Sequence, residues 1–199
     1  MQTFTNQNTY MVQNYYLEPV IATLESGGLI LYPTDTTWGI GCDATNTAAI
    51  DKVSRLKNQA NAGPFVLLVA SIEMLKHYVV EIHPRVETLL LFHARPLTVI
   101  YKDAKNLPPN ACGADGSVAV RIPQDVLCKS LLEEFGKPIV ATTANIGGMP
   151  IPKHFGEISS DVIMGVDYVV KYRTLDKDMG EPSVLARLSD DEELEFLRE

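Results

Sequence analysis

Hydroxyl, amide and carboxylate side chains are concentrated at three places in this chain of 199 residues. The tetrapeptide Thr-Asp-Thr-Thr at 34–37 directly follows the apolar run 29–32, and Thr-Thr-Ala-Asn at 142–145 follows the apolar run 138–141. Ser183 is the third. Each of them alone is more often a turn or a helix cap. Together they favour one pocket for a ligand rich in oxygen atoms, because each group can donate or accept a hydrogen bond.

Cations near these clusters could supply positive charge to such a ligand. Arg121 lies within the apolar stretch 118–123, and arginine is rarely buried without a partner. Its guanidinium could clamp a carboxylate or phosphate through two nitrogens, with a structural ion pair as the alternative. Lys57 ends a predicted helix, where interaction with the helix dipole is the alternative role. Arg198, near the end of the chain, is typical of a solvated residue.

Several site classes are absent from the sequence. It contains no P-loop, no GxGxxG motif and no zinc motif, so phosphate binding must rely on hydroxyls, backbone amides and cations. None of the four histidines has a nucleophile pattern beside it, and Cys42 has no neighbour that would lower its pKa. The formal charge of −8 argues against a surface that binds nucleic acid over its whole extent. We expect no bound metal ion.

Strand and helix patterns alternate along the chain and predict one α/β domain over 1–199. A βαβ unit is predicted from strand 29–32, through helix 48–58, to strand 65–69. Hairpin signals near the end of the chain add antiparallel pairing, which predicts a twisted, mixed sheet. Residues 1–15 are polar and predict a loose arm. Further strands are expected at 97–101, 118–123, 138–141, 166–170, 182–186 and 194–198, and further helices from 18, 71, 84 and 124 and over 155–160.

In this order and spacing, the motifs resemble the YrdC family of threonylcarbamoyl-AMP synthases. They are YPTDTTWGIGCDA at 32–44, Lys57, AVRIP at 119–123, ATTAN at 141–145 and EPSV at 181–184. The resemblance runs from about Gly27 to Arg198. It implies a single twisted α/β domain with a mixed sheet and a large concave, positively charged cavity.

The resemblance also implies an activity. The family is a nucleotidyltransferase that makes threonylcarbamoyl-AMP and pyrophosphate from L-threonine, bicarbonate or CO2, and ATP with Mg²⁺. The product serves tRNA threonylcarbamoyladenosine modification in the cytoplasm, with tRNA or tRNA-modification proteins as partners and no membrane. A divergent, non-catalytic protein that binds nucleotide or RNA is the alternative, and a carbamoyltransfer domain of the hydrogenase-maturation type is the third.

The resemblance assigns roles to individual positions. Lys57 and Arg121 would be catalytic. Threonine would be held by Thr36, Arg121, Ala141 and Ser183. ATP would be contacted by Lys57, Ser117, Thr143, Asn145 and Arg198.

Four positions depart from the family pattern. Trp38 replaces a tyrosine or phenylalanine, and Thr143 replaces a serine but keeps the hydroxyl. The helix-end motif Lys-x-Arg is here Lys57-Asn58-Gln59, and Gly63 precedes Pro64 where the family has a Lys or Asn. Losing one charge-assisted hydrogen bond costs about 1.5–3 kcal/mol. The sequence therefore predicts weakened phosphate contacts and an impaired enzyme.

Overall fold

A computed structural model describes residues 17–58, 65–177 and 180–199. The predicted arm at 1–15 and the departures at Gln59 and Gly63 lie outside these ranges.

Nine strands of the described chain form one sheet at the centre of the fold. They are β1 (Ile30–Pro33), β2 (Trp38–Gly41), β3 (Val66–Leu68), β4 (Leu97–Tyr101), β5 (Val118–Arg121), β6 (Ile139–Thr143), β7 (Tyr168–Val169), β8 (Val184–Leu188) and β9 (Leu194–Arg198). Their order across the sheet is β7-β1-β2-β6-β3-β5-β4-β8-β9. The pairs β1–β7, β3–β5 and β4–β8 are parallel and the others antiparallel, which confirms the predicted mixed sheet.

Six α-helices of the described residues pack around this sheet: α1 (17–25), α2 (Thr47–Leu56), α3 (Ile72–Leu75), α4 (Pro84–Phe92), α5 (Val126–Phe135) and α6 (Ser160–Gly165). Asn46 caps α2 by accepting a hydrogen bond from the Ala49 N–H. Asp125 caps α5 in the same way, and Gly136 ends that helix with a φ of 70°. None of the described helices is long and apolar enough to cross a membrane.

The sheet separates two hydrophobic clusters. On one face, α1 and α5 pack through Leu24, Leu131 and Leu132 against Tyr32 and Ile139 of the strands. On the other face, α2 packs through residues such as Ile50 and Val53 against a larger cluster that includes Trp38. Because side chains alternate between the faces of a strand, Arg121 lies on the α1–α5 face, opposite Val120.

The predicted βαβ unit is corrected at its first strand. β2, which the sequence did not indicate, is the strand that precedes α2, and it runs parallel to β3 with β6 between them. Two of its four residues are glycines, which weaken a strand signal. Gly41 has a packing role, since a Cβ at this position would lie only 2.6 Å from Cε1 of Tyr32.

Other boundaries also differ from the sequence predictions. The strand expected at 118–123 ends at Arg121, and the helix expected at 155–160 is a single 3₁₀ turn, Phe155–Glu157, followed by α6. Thr142 and Thr143 belong to β6 itself. Ser183 stands before β8, so it lies at the start of a strand instead of after one.

Candidate functional site

Arg121 lies at the centre of a buried polar cluster. Its Nη1 donates a hydrogen bond to Oγ1 of Thr36 at 3.1 Å, and its Nη2 lies 3.4 Å from Oδ1 of Asp35. Only 6% of the Arg121 side chain and 8% of the Asp35 side chain are exposed. The sequence left open whether Arg121 makes an ion pair or a ligand clamp. The structure shows the ion pair, and the Nε atom has no partner among the described residues.

Thr36 and Arg121 come from strands that are not neighbours in the sheet. Thr36 follows β1 and Arg121 ends β5, and three strands separate β1 from β5. The backbones of two strands at this separation lie about 19 Å apart in a flat sheet. The turn 34–37 and the long Arg121 side chain together close this distance, since Nη1 reaches Thr36 Oγ1 at 3.1 Å. The order of residues along the chain does not reveal this juxtaposition.

The turn 34–37 presents the Thr36 hydroxyl in a defined orientation. Thr34 Oγ1 donates to the carbonyl oxygen of Thr37 at 2.7 Å and accepts from the backbone N–H of Thr36 at 3.1 Å. Because the Thr34 hydroxyl proton is used, the 3.0 Å contact between the two hydroxyls makes Thr36 the donor. Thr36 Oγ1 then accepts from Arg121 and keeps acceptor capacity for a ligand.

Two contacts that the sequence did not indicate hold this turn from outside. The backbone N–H of Gln124 donates to Oδ2 of Asp35 at 3.0 Å. Arg173 donates through Nη1 to the Thr34 carbonyl oxygen at 3.2 Å and to Oδ2 of Asp125 at 3.3 Å. Arg173 also has a φ of 57°, a left-handed conformation that is unusual for arginine. No local sequence signal could find it, because its partners are 48 and 139 residues away.

Ser183 belongs to a second group at the same end of the site. Its Oγ lies 2.8 Å from Oγ1 of Thr98, which is fully buried and opposite Arg121 in the β4–β5 register. Arg198 donates from Nε to the Ser183 carbonyl oxygen at 2.9 Å and from Nη2 to Oγ at 3.3 Å. Arg198 therefore lies with the predicted threonine group, and its contact with ATP stays a prediction.

Lys57, Thr143 and Asn145 come together at the end of α2. The Lys57 Nζ donates to the carbonyl oxygens of Thr143 and Asn145, both at 2.7 Å, and to Oδ1 of Asn145 at 3.2 Å. Only 3% of Lys57 is exposed, and burial lowers its pKa to about 8. Thr143 Oγ1 donates to Asn145 Oδ1 at 2.6 Å. The amide of Asn145 donates to the carbonyl oxygen of Met149 at 2.6 Å.

Ser117 stands immediately before β5, at the opposite end of that strand from Arg121. Its Oγ donates to Oδ1 of Asp115 at 2.6 Å, and its backbone N–H donates to the same oxygen at 3.0 Å. Hydrogen bonds from the Ser117 side chain and backbone lower the pKa of the exposed Asp115 carboxyl. Ser117 is not joined to Lys57 or Thr143 by a hydrogen bond, so its predicted contact with ATP remains open.

A row of small side chains connects the two polar ends. Ala119, Val66 and Ala141 are neighbours across β5, β3 and β6, and they share the face of Arg121. Ala141, which the sequence assigned to threonine, is half-buried in this row. Arg121 is four residues along β5 from Ser117, which corresponds to about 13 Å. Arg121 therefore stands at one end of this row, and the region of Ser117 and Thr143 stands at the other.

The acidic and sulfur-containing side chains do not suggest metal or thiol chemistry. Within 17–58, 65–177 and 180–199, no group of three His, Cys, Asp or Glu side chains is arranged to hold a metal ion. Cys42 and Cys128 are buried, and burial raises the pKa of both thiols, so neither is an activated nucleophile.

Known proteins resemble this chain in sequence and in fold. A model of the Sua5/YciO/YrdC family, described as telomere recombination, matches residues 22–199. A threonylcarbamoyl-AMP synthase of Saccharophagus degradans is 35% identical over 138 residues, which are 69% of this chain and 72% of the relative. The threonylcarbamoyl-AMP synthase of Photobacterium profundum is 30% identical over 149 residues, or 73% and 80% of the two chains.

A solved structure supports the same relationship. The crystal structure of P. abyssi Sua5 complexed with L-threonine superposes with a TM-score of 0.80 at 26% identity, covering 92% of this chain. This chain spans about half the length of that Sua5, because the match covers 53% of it. Family-wide sequence similarity and the shared fold agree, and the chain belongs to the Sua5/YciO/YrdC family.

Proposed function

We propose that this chain is an L-threonylcarbamoyladenylate synthase, a nucleotidyltransferase that forms threonylcarbamoyl-AMP and pyrophosphate from L-threonine, bicarbonate or CO2, and ATP. The observation that carries the proposal is the presence of two polar groups, Arg121 with Thr36 on the α1–α5 face and Lys57 with Thr143 at the end of β6. Relatives named threonylcarbamoyl-AMP synthase support it.

The chemistry needs positioning and charge stabilisation instead of a covalent nucleophile. The threonine amine attacks CO2 and loses a proton, which gives a carbamate. A carbamate oxygen then attacks the α-phosphorus of ATP, and the bond to the pyrophosphate leaving group breaks. Arg121 and Thr36 hold threonine, while Lys57, Thr143 and Asn145 shape the nucleotide end of the face. Holding both reactants in line accounts for much of the rate gain in such reactions.

Further parts of the reaction are proposals of the same kind. Mg²⁺ enters with ATP as part of the substrate, since Mg²⁺ is commonly bound through substrate phosphates. Bicarbonate supplies the carbamoyl carbon, and the product is used in modifying tRNA. The free thiols of Cys42, Cys112 and Cys128 favour a reducing compartment such as the cytoplasm.

Pyrophosphate release tests the proposal. We expect release from ATP that requires both L-threonine and bicarbonate, and that falls to background in Lys57→Ala. Lys52→Ala is a matched control, because Lys52 is on the same helix and donates to the Gly27 carbonyl oxygen, away from the site. Nucleotide binding without threonine-dependent release would contradict the synthase and favour the non-catalytic alternative.

We further propose that the enzyme is slowed by the neutral Gln59, which stands where the family has arginine. A guanidinium at this position would add charge next to the phosphates. Gln59→Arg is expected to raise the rate of pyrophosphate release by roughly tenfold, the kinetic equivalent of about 1.4 kcal/mol. An unchanged rate would show that another group compensates for the missing arginine.

A further inference from the structure

Among the residues that the structure describes, the Arg121 cluster holds one donor and one acceptor that make no hydrogen bond. The Arg121 Nε and the Asp35 Oδ1 are both buried and make no hydrogen bond within the described part of the chain. The two groups belong to one ion pair, in which Arg121 Nη2 lies 3.4 Å from Asp35 Oδ1, beyond the usual range for such a hydrogen bond. Buried polar groups in native proteins are nearly always paired. The pair is therefore suited to a ligand that supplies both an acceptor and a donor.

The charges of the pair restrict what that ligand can be. Arg121 and Asp35 together are net neutral, and both are almost completely buried. A phosphate or a simple carboxylate would pair with Arg121 but would be repelled by Asp35 at the same place. An α-amino acid is also net neutral, and its carboxylate and ammonium groups are attached to the same carbon atom. The zwitterion matches the donor and the acceptor together.

The orientation of Asp35 is set by its other oxygen. Oδ2 accepts the hydrogen bond from the Gln124 backbone N–H, so Oδ1 is directed toward Arg121. The neighbouring Thr36 Oγ1 keeps acceptor capacity, as derived above, and lies on the same guanidinium. Thr36 Oγ1 and Asp35 Oδ1 thus lie at the two terminal nitrogens of one guanidinium.

We propose that Asp35 accepts the α-ammonium group of the amino-acid substrate while Arg121 holds its carboxylate. Asp35 is thereby a specificity-determining residue, which selects α-amino acids over other small carboxylates and over phosphate. This inference rests on the proposed function, because it names how that site recognises threonine. The competing account is that Asp35 only positions Arg121.

Ligand analogues separate these two accounts. The test measures binding by calorimetry of L-threonine and of 2,3-dihydroxybutanoate, which carries a hydroxyl in place of the amine. Asp35→Asn keeps the shape of the side chain and removes its charge. We expect the variant to bind L-threonine at least tenfold more weakly than the wild type does. Its affinity for the hydroxy analogue should stay within about twofold of the wild-type affinity for that analogue. A purely positioning role would weaken both ligands equally, and that result would overturn the proposal.

Two further measurements make the outcome independent of whether the variant folds. The wild type itself must prefer L-threonine over the hydroxy analogue, and equal affinity for the two would refute the role of Asp35 directly. Asp43→Asn makes the same chemical change in the ion pair of another buried aspartate, with Lys137, and should leave both affinities unchanged. A wild type that binds neither ligand would refute the proposed function as well. A wild type that binds L-threonine, together with equal losses of affinity for both ligands in Asp35→Asn, would refute this inference alone.

Discussion

The ammonium group of Lys57 lies 2.7 Å from the carbonyl oxygens of both Thr143 and Asn145, so one cation fastens the end of α2 to the turn that follows β6. The third ammonium proton is directed to Asn145 Oδ1, at 3.2 Å. All three donors of Lys57 are thus used within the protein. Lys57 shapes the nucleotide end of the site as well as supplying charge to it.

Replacing Lys57 by methionine should therefore reduce both stability and activity. Two partly buried carbonyl oxygens lose their donor, at a cost of about 1–3 kcal/mol for each group left unsatisfied. The free energy of unfolding, measured by urea denaturation, should fall by about 2–4 kcal/mol. Threonine-dependent pyrophosphate release should fall to background, as expected for Lys57→Ala. Lys52→Met is the control, and a comparable loss of activity there would contradict the specific role of Lys57.

The lowered pKa of Lys57 predicts how stability depends on pH. The folded protein releases this proton near pH 8, whereas lysine in the unfolded chain keeps it to about pH 10.4. Between these values the unfolded state binds more protons, so the free energy of unfolding rises with pH. The increase attributable to Lys57 is about 2–3 kcal/mol between pH 7 and pH 10.

This contribution can be isolated as a difference between two proteins. Other groups that titrate in the same range are shared by the wild type and Lys57→Met, so they cancel when the two stability curves are subtracted. As the pH rises, the free energy of unfolding of the wild type should increase relative to that of the variant. A difference that stays constant from pH 7 to pH 10 would show that the charged form of Lys57 is not penalised by its burial.

Much of the fold could be predicted from the sequence because its signals are local. The apolar run that became β1 and the helix expected from 124, which is α5, depend on neighbouring residues, and both are confirmed in type. β2 escaped prediction because Gly39 and Gly41 carry no side chain to show strand alternation. The reason for Gly41 is the Tyr32 ring, which packs against it from the neighbouring strand.

Only part of the candidate site could be predicted from the sequence. The polar turn at 34–37 and Arg121 were identified as separate candidates, but their contact depends on the order of the strands in the sheet. Thr98 and Arg173 were missed because their partners come from distant parts of the chain. Long-range contacts of this kind leave no periodicity or motif in a single sequence.

Arg121→Lys should separate charge from geometry at the threonine end. Lysine keeps the positive charge but lacks the planar fork that can contact Thr36 and a carboxylate at once. The KM for L-threonine should rise about tenfold to a hundredfold, in line with the loss of one or two charge-assisted hydrogen bonds. The KM for ATP, whose proposed contacts lie at the other end of the face, should change less than twofold. Steady-state kinetics with each substrate varied in turn would measure both, and equal increases would contradict two separate subsites.

Arg173→Ala should loosen the turn that presents Thr36. The side chain donates to the Thr34 carbonyl oxygen and pairs with Asp125 and Asp176, and it is about three-quarters buried. We expect a loss of about 1 kcal/mol in the free energy of unfolding, typical of one net hydrogen bond. The KM for L-threonine should rise several-fold with kcat less affected.

The matched control for this variant is Arg187→Ala. Arg187 pairs with Glu195 on the exposed side of the β8–β9 hairpin, where ion pairs contribute about 0–1 kcal/mol. Both variants remove an arginine and an ion pair, but only Arg173 contacts the turn. An unchanged threonine KM in Arg173→Ala would mean that the bonds within 34–37 hold the turn without help.

Gly41→Ala tests whether packing, and not turn flexibility, explains the glycine in β2. An added Cβ would lie 2.6 Å from Tyr32 Cε1 and 2.8 Å from the carbonyl oxygen of Val140, closer than real Cβ contacts. The Val140 carbonyl is backbone and also accepts a hydrogen bond from the Tyr32 hydroxyl, so neither neighbour can move freely. Overpacking of this kind typically costs 1–3 kcal/mol. Thermal unfolding should therefore show a clear drop in Tm.

Gly148→Ala is the comparison, because no atom lies within 4 Å of its added Cβ and only its φ of 82° opposes the change. A Gly41→Ala protein as stable as the wild type would show that the Tyr32 ring can be displaced without loss.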